Sequence, residues 1–263
     1  MLRNKILAAL LLAGYVGMGW AADSGSNLTL GVEPSYSDGK YGTSSDTKIF
    51  YLPVYAKYQD GDLGIKLTVP YISVESTGAV LSGGVVIGHK RTSSTSPASQ
   101  TTESGLGDVW LEGNYRIHGA GGAAPDFVPY AKVKFGTASS SKGLGTGEND
   151  YEGGLGLEWA VADNWFPFLQ AGYRFVGEPT GLSLSDFATY DGGVMYRASS
   201  TDYLTVMFTG HGSAGAGTPV AADALVAWNH RLSNGIALQA FLDKGLSNGS
   251  PDYGAGVGLE RRF

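Results

Sequence analysis

Cysteine is absent from the 263 residues, which excludes a disulfide scaffold and leaves stability to hydrogen bonding and chain closure. Beyond the first twenty-one residues, no apolar run is long enough to cross a bilayer as a helix. Charge is sparse, at 16% of residues, and acidic side chains outnumber basic ones 24 to 18. That balance argues against nucleic acid as a partner. Only four histidines occur, His89, His118, His211 and His230, and they fall on different segments without metal-ligand spacing. Gly143, Gly145 and Gly147 do not sit between a strand and a helix, so they form no phosphate or dinucleotide cradle. No metal or cofactor is expected.

What is abundant is glycine, with 41 residues, and tyrosine, with 15, a composition of strands and tight turns rather than helices. Residues 1–21 read as a secretory signal: Arg3 and Lys5 precede an apolar run from Ile6 to Val16, and Gly19-Trp20-Ala21 supplies a cleavage site. Losing Arg3 and Lys5 makes the rest, 22–263, more acidic still. A secreted chain without a helical span can reside in a membrane only as a closed barrel, the other structure that satisfies its own backbone in hydrocarbon.

Twelve segments of barrel-strand length alternate in polarity: 28–36, 49–58, 63–74, 106–117, 127–135, 151–161, 165–176, 187–197, 203–211, 220–232, 236–243 and 253–263. Leu63, Ile65, Leu67, Val69 and Tyr71 make one clean apolar face, with Lys66 and Thr68 opposite. The connections alternate as well. Tight links such as Gln59-Asp60-Gly61-Asp62, 162–164, 199–202 and Ser233-Asn234-Gly235 trade places with longer ones such as 38–48, 75–104, 136–150 and 244–252. Outer-membrane barrels have short periplasmic turns and long external loops. The sequence therefore predicts an all-β, single-chain antiparallel transmembrane barrel of about 12 strands.

Aromatic residues gather where strands end. Trp159, Trp165, Tyr58, Tyr115, Phe127, Tyr203, Trp228 and Phe263 lie near short turns, and Tyr36, Tyr71 and Phe175 near long loops, as interfacial belts require. Pro53 inside the second segment predicts a bulge or irregularity there. Leu225 falls on the face assigned to the lumen, which leaves the tenth strand's register open.

The last segment, Tyr253 to Phe263, is apolar on one face and glycine and charge on the other. A chain stopping on phenylalanine in such a strand resembles bacterial outer-membrane proteins, whose terminal strand is an assembly signal. That resemblance implies the barrel-assembly machinery, outer-membrane lipid and lipopolysaccharide as partners. Gly105-Leu-Gly-Asp108, and Leu144-Gly-Thr-Gly147 followed by Asp150-Tyr151, carry a second resemblance. From about Gly105 onward the chain resembles the outer-membrane proteins grouped as "MetA-pathway of phenol degradation". Gly136-Thr137-Ala138 stands where such proteins often have proline–threonine–glycine. This resemblance implies passage of small hydrophobic or aromatic molecules and assigns no residue a role.

Strand parity turns Lys66, Asp108, Glu112, Arg116, Lys132, Lys134, Glu152, Glu158, Arg174, Asp191 and Arg197 toward the lumen. Counting Glu33, Lys57, Asp223, Arg231, Asp243, Glu260 and Arg262 as well, the lumen carries equal numbers of acids and bases. That equality argues against strong ion selectivity. Hairpin pairing sets Glu112 opposite Lys132, Trp110 opposite Lys134 and Arg174 diagonal to Asp191, so Glu112, Lys132, Arg174 and Asp191 are expected to cluster at mid-lumen. Twelve strands lie between the filled eight-strand barrel and the open sixteen-strand pore, so the passage should be narrow.

Two strings raise a lipid hydrolase as an alternative. His230 and Ser233 sit three apart, on opposite faces of a strand, where no nucleophile–base bond forms. His211 and Ser213 have usable spacing but point into the lumen. A non-enzymatic channel is the reading adopted, with a structural or adhesive barrel as the alternative.

Overall fold

The computed structural model describes residues 26–82, 85–89, 100–120, 124–181, 183–215 and 218–263. The leader read over 1–21 lies outside them. The described residues form strands, turns and irregular segments, and no helix among them is long and apolar enough to cross a membrane. The first strands are β1 (Asn27–Val32), β2 (Ser35–Gly39), β3 (Thr47–Asp60) and β4 (Leu63–Ser76). A hairpin of β5 (Ala79–Ser82) and β6 (Val85–His89) forms a separate small sheet. The wall resumes with β7 (Thr101–Leu106), β8 (Val109–Tyr115), β9 (Asp126–Phe135) and β10 (Asp150–Glu158). It continues through β11 (Trp165–Phe175), β12 (Phe187–Arg197) and β13 (Asp202–His211). The chain ends with β14 (Ala221–Arg231), β15 (Ile236–Gly245) and β16 (Tyr253–Arg262).

Neighbours in the wall are antiparallel throughout, and β16 returns to pair with both β1 and β2. Thr29 lies opposite Arg262, and Tyr36 opposite Ala255. Two staves are each made of two strands, β1 with β2 and β7 with β8, so the closed barrel has twelve staves. Closure removes the free edge that a sheet in hydrocarbon cannot tolerate. The outer face is the apolar one: Leu63, Ile65, Leu67, Val69 and Tyr71 are all exposed, and between them Thr68 and Pro70 are buried. The turn at Asn234-Gly235 takes φ of 63° and 73°, both left-handed, as an asparagine–glycine hairpin should.

Pro53 does not bulge its own strand. β3 and β4 stay in continuous register from Lys48 to Asp60, with Pro53 directly opposite Pro70. Each proline lacks the N–H that would bond its outer neighbour, so the interruption passes to the next stave on either side. β1 and β2 part at Glu33-Pro34, where the Glu33 N–H still donates to the Pro53 carbonyl at 3.2 Å. β7 and β8 part at Gly107-Asp108, where the Gly107 N–H donates to the Pro70 carbonyl at 2.9 Å.

Inward-facing glycines make room for large rings. The Tyr130 hydroxyl passes close over the Cα of both Gly154 and Gly172, and a Cβ at either would collide with it. The space lets Tyr130 donate to Glu152 Oε1 at 3.0 Å. Gly172→Val should therefore lower stability by about 1–3 kcal/mol through overpacking, read as a shifted urea midpoint in detergent or vesicles. An unchanged midpoint would mean that Tyr130 has room to move aside.

Candidate functional site: the barrel lumen

The lumen is built in three levels, and the upper one, at the long-loop end, starts from the broken stave. Release of Asp108 from the β4 ladder turns its carboxylate inward, where Oδ1 accepts the Ala138 N–H at 3.0 Å. Gly145 lies against the same carboxylate, and a Cβ there would come within 2.8 Å of Oδ1 and 2.6 Å of the Ala138 Cβ. The two motifs Gly105–Asp108 and Leu144–Gly147 thus meet in space. Their loop packs Leu144 and Ala138 against Leu81 and Val86 of the β5–β6 hairpin and against Ile72 of the wall.

That hairpin crosses the mouth. Leu81 packs on the Ile72 side, whereas Val80 packs with Leu184, Phe187 and Ala214 from the β11–β12 and β13–β14 region. The Leu81 N–H donates to the Gly143 carbonyl at 2.9 Å. Beneath it lies Lys134, wholly buried, with Nζ 2.9 Å from Asp150 Oδ2 and 3.7 Å from Asp108 Oδ2. The same ammonium donates to Ser82 Oγ at 2.6 Å and Thr146 Oγ1 at 3.2 Å, and Ser82 donates to Asp150 at 2.8 Å. Lys134 therefore ties wall, hairpin and loop together through a charge that has no water to fall back on.

The middle level centres on Glu152. Arg174 reaches its Oε2 through Nη2 at 2.7 Å and Nε at 2.8 Å. Lys132 lies 3.6 Å from Oε1, and Thr189 donates to that oxygen at 3.2 Å. Arg174 also covers the rings of Trp110 and Phe187 at 5.0 and 5.3 Å. The expected grouping of Glu112, Lys132, Arg174 and Asp191 is present at mid-lumen, with Lys132 and Arg174 among the charged neighbours of Asp191, but its ion-pair centre is Glu152. Glu112 does face Lys132 in register, but it forms no ion pair among the described residues, and its Oε2 is buried without a hydrogen-bond partner. Asp191 instead accepts from Thr209 at 2.5 Å and Gln170 at 3.2 Å. Glu152, directly opposite Lys132 on one side and Arg174 on the other, takes both because it lies on the strand between theirs.

Beside the charges, Phe168, Met195, Tyr203, Met207, Leu225 and Ala227 form a buried apolar cluster, with Phe166 and Phe241 packed against it. Leu225 belongs here, in unbroken register with Met207 and Asp243. Tyr203 is corrected from belt to lumen: it is 3% exposed, and the Arg231 guanidinium lies 4.6 Å over its ring.

At the short-turn end, Arg116 pairs with Glu158 at 2.6 Å and Asp126 at 3.2 Å. Arg197 is drawn to the rim, where Nη2 donates to the Asp163 carbonyl at 2.5 Å and Nε to Asn164 Oδ1 at 3.2 Å, so it clamps a turn rather than lining the passage. Lys66 stands over the Tyr55 ring at 5.0 Å. Ser82, Thr146, Asp150 and the apolar cluster were missed from the sequence. Asp150 shares the parity of Glu152 and could have been found; the loop residues carry no periodic signal.

The two hydrolase strings do not assemble. Ser213 donates to the Gly215 and Thr218 carbonyls at 2.8 and 2.5 Å, and His211 Nδ1 lies 2.8 Å from the Gly212 carbonyl. His230 Nδ1 lies 2.8 Å from Asp202 Oδ1, and the Trp228 indole donates to that oxygen at 3.1 Å.

No family model and no curated protein matches the sequence. Solved structures do match in fold. One is titled a COG4313 outer membrane channel from Pseudomonas putida F1, with TM-score 0.67, 13% identity and full coverage of both chains. The KdgM porin has TM-score 0.56 at 10% identity, over 89% of this chain and 99% of the other. The NanC porin has TM-score 0.54 at 15% identity, over 88% and 98%. At these identities the likeness is one of fold.

Lys134→Met leaves Asp108 and Asp150 buried without their cation, and should cost about 3–5 kcal/mol. Adding Asp108→Asn and Asp150→Asn should recover most of that loss. Urea unfolding, with limited proteolysis of 75–104 alongside, reads both effects; a single variant as stable and as protease-resistant as the parent would contradict this account of the network.

Proposed function

We propose that this protein is an outer-membrane channel passing small, hydrophobic or aromatic molecules through a narrow lumen obstructed at its long-loop end by the β5–β6 hairpin. The observation that carries the reading is the apolar cluster of Phe168, Met195, Tyr203, Met207 and Leu225 on the inner wall of a closed membrane barrel. A purely aqueous pore has no use for such a lining, whereas an apolar solute crossing between charged levels does. Proteins of like fold are titled channel and porin, which supports passage as the role. The aromatic class of solute rests on the cluster and on the motif resemblance to the phenol-degradation group. Short turns face the periplasm and long loops the exterior, with lipid and lipopolysaccharide around the wall and Phe263 addressed to the assembly machinery. The protein acts without catalysis.

A structural barrel without transport is the second reading, favoured by the full burial of Phe168, Met195 and Met207. Uptake separates the two. Proteoliposomes should take up small neutral aromatics faster than protein-free liposomes. Replacing residues 78–89 by a short Gly-Ser turn should raise single-channel conductance severalfold. Uptake equal to that of empty liposomes, with conductance unmoved by the replacement, would leave the structural reading standing.

A further inference from the structure

The outer wall carries a groove over the first break in the ladder. It lies against Pro34 and Ser35 and has a volume of about 610 Å³, within the ~300–1,000 Å³ usual for a site that holds one small molecule. Lipid-facing side chains border it in two register rows. Phe50, Tyr36, Ala255, Leu242 and Val226 stand opposite one another on β3, β2, β16, β15 and β14. One step toward the short turns, Trp228, Ala240 and Val257 make the second row. It ends at Pro34, whose carbonyl accepts the Val257 N–H at 3.0 Å. Ala255 and Ala240 are the floor between larger neighbours, and behind it the Phe241 ring lies against Gly256 on the lumen side.

The outline decides the occupant. Five strands spaced by about 4.8 Å make the groove roughly 19 Å long, and two rows make it roughly 7 Å wide. That is the shape of a fatty-acyl chain rather than of a compact ring. A second copy of the barrel would meet the projecting Leu242 and Val257, 68% and 57% exposed, and leave the floor empty. The groove is continuous with the lipid-facing wall, so an acyl chain enters it without leaving hydrocarbon. An unfilled hollow there forfeits dispersion contacts, and packing of this kind is what drives association within lipid.

The rim above the groove sets the headgroup. Asp38 stands opposite both Tyr253 and Lys48, and it accepts from the Tyr36 and Tyr253 hydroxyls at 3.5 and 3.3 Å. Lys48 pairs with Glu75 at 3.3 Å, and Lys244 donates to the Asp252 carbonyl at 2.6 Å. Charges of both signs suit a zwitterionic head, ammonium with phosphate, better than the polyanionic head of a lipopolysaccharide.

We propose that this groove is a phospholipid site: one acyl chain of a zwitterionic phospholipid lies along Ala255 and Ala240 and covers the break at Glu33-Pro34 from outside. The chain completes the wall where the stave passes from β1 to β2. This rests on the barrel standing in a membrane and is independent of what the lumen passes.

Native mass spectrometry of the barrel in detergent with added phosphatidylethanolamine tests it, folding being verified by heat-modifiable gel mobility. The parent should retain one phospholipid. Ala240→Leu/Ala255→Leu, which fills the groove, should lower the retained fraction severalfold, and Ala255→Val alone should lower it less. Ala171→Leu, on the exposed face of β11, should behave like the parent. Added phosphatidylethanolamine should raise the thermal midpoint of the parent and leave that of the filled variant unmoved. Equal retention by parent and filled variant, preference for lipid A, or a dimer mass that only the filled variant loses overturns the site. Unchanged retention with lost aromatic uptake in the filled variant gives the groove to the solute and overturns it too. A parent that holds its lipid but takes up no aromatic overturns the channel reading alone.

Discussion

Every peptide group in hydrocarbon must find its partner within the chain, and the pairing of β16 with β1 and β2 is what makes that possible here. Once the sheet is closed, each strand has one face in lipid and one in the lumen, and the alternation of residues follows. The two places where the ladder falters are then informative. Pro53 and Pro70 face each other across β3 and β4, and each passes its missing N–H outward to the next stave. The breaks at Glu33-Pro34 and Gly107-Asp108 are the result.

From the second break the interior follows in sequence. Asp108 turns inward, caps the loop that carries Leu144, and gives Lys134 one of its two carboxylates. Lys134 in turn holds Ser82 and so the hairpin. A backbone break in the stave that follows the long loop is thus connected to obstruction of the mouth by one inward-turned carboxylate and one buried ammonium. Burying that charge is costly alone, and the network makes it tolerable only when all members are present. Below it the lumen divides into an apolar side and a charged side.

The wall was legible in the sequence because lipid applies one rule to every strand. Leu63 through Tyr71 had to alternate, and Asn234-Gly235 had to turn. Facing direction was legible too, since Glu112, Lys132 and Glu152 all lie inward as parity requires. Partner choice was not. Parity puts Glu112 and Glu152 equally close to Lys132, and only the side-chain geometry gives it to Glu152. Arg197 and Tyr203 were misread because both are amphipathic residues near a strand end, where rim, belt and lumen compete. Pro53 was noticed alone; its consequence appears only when Pro70 stands opposite. The hairpin is the least legible part, because Lys134 and Ser82 are 52 residues apart and joined through a loop without period.

Residues 79–82 are a fixed part of the lumen rather than an open loop, as the burial of Ala79 through Ser82 and the Leu81–Gly143 bond require. Backbone hydrogen–deuterium exchange of that segment in lipid nanodiscs tests this directly. Exchange as slow as that of the wall strands β9 and β10 is expected. Exchange as fast as that of the Gly61 turn would contradict it.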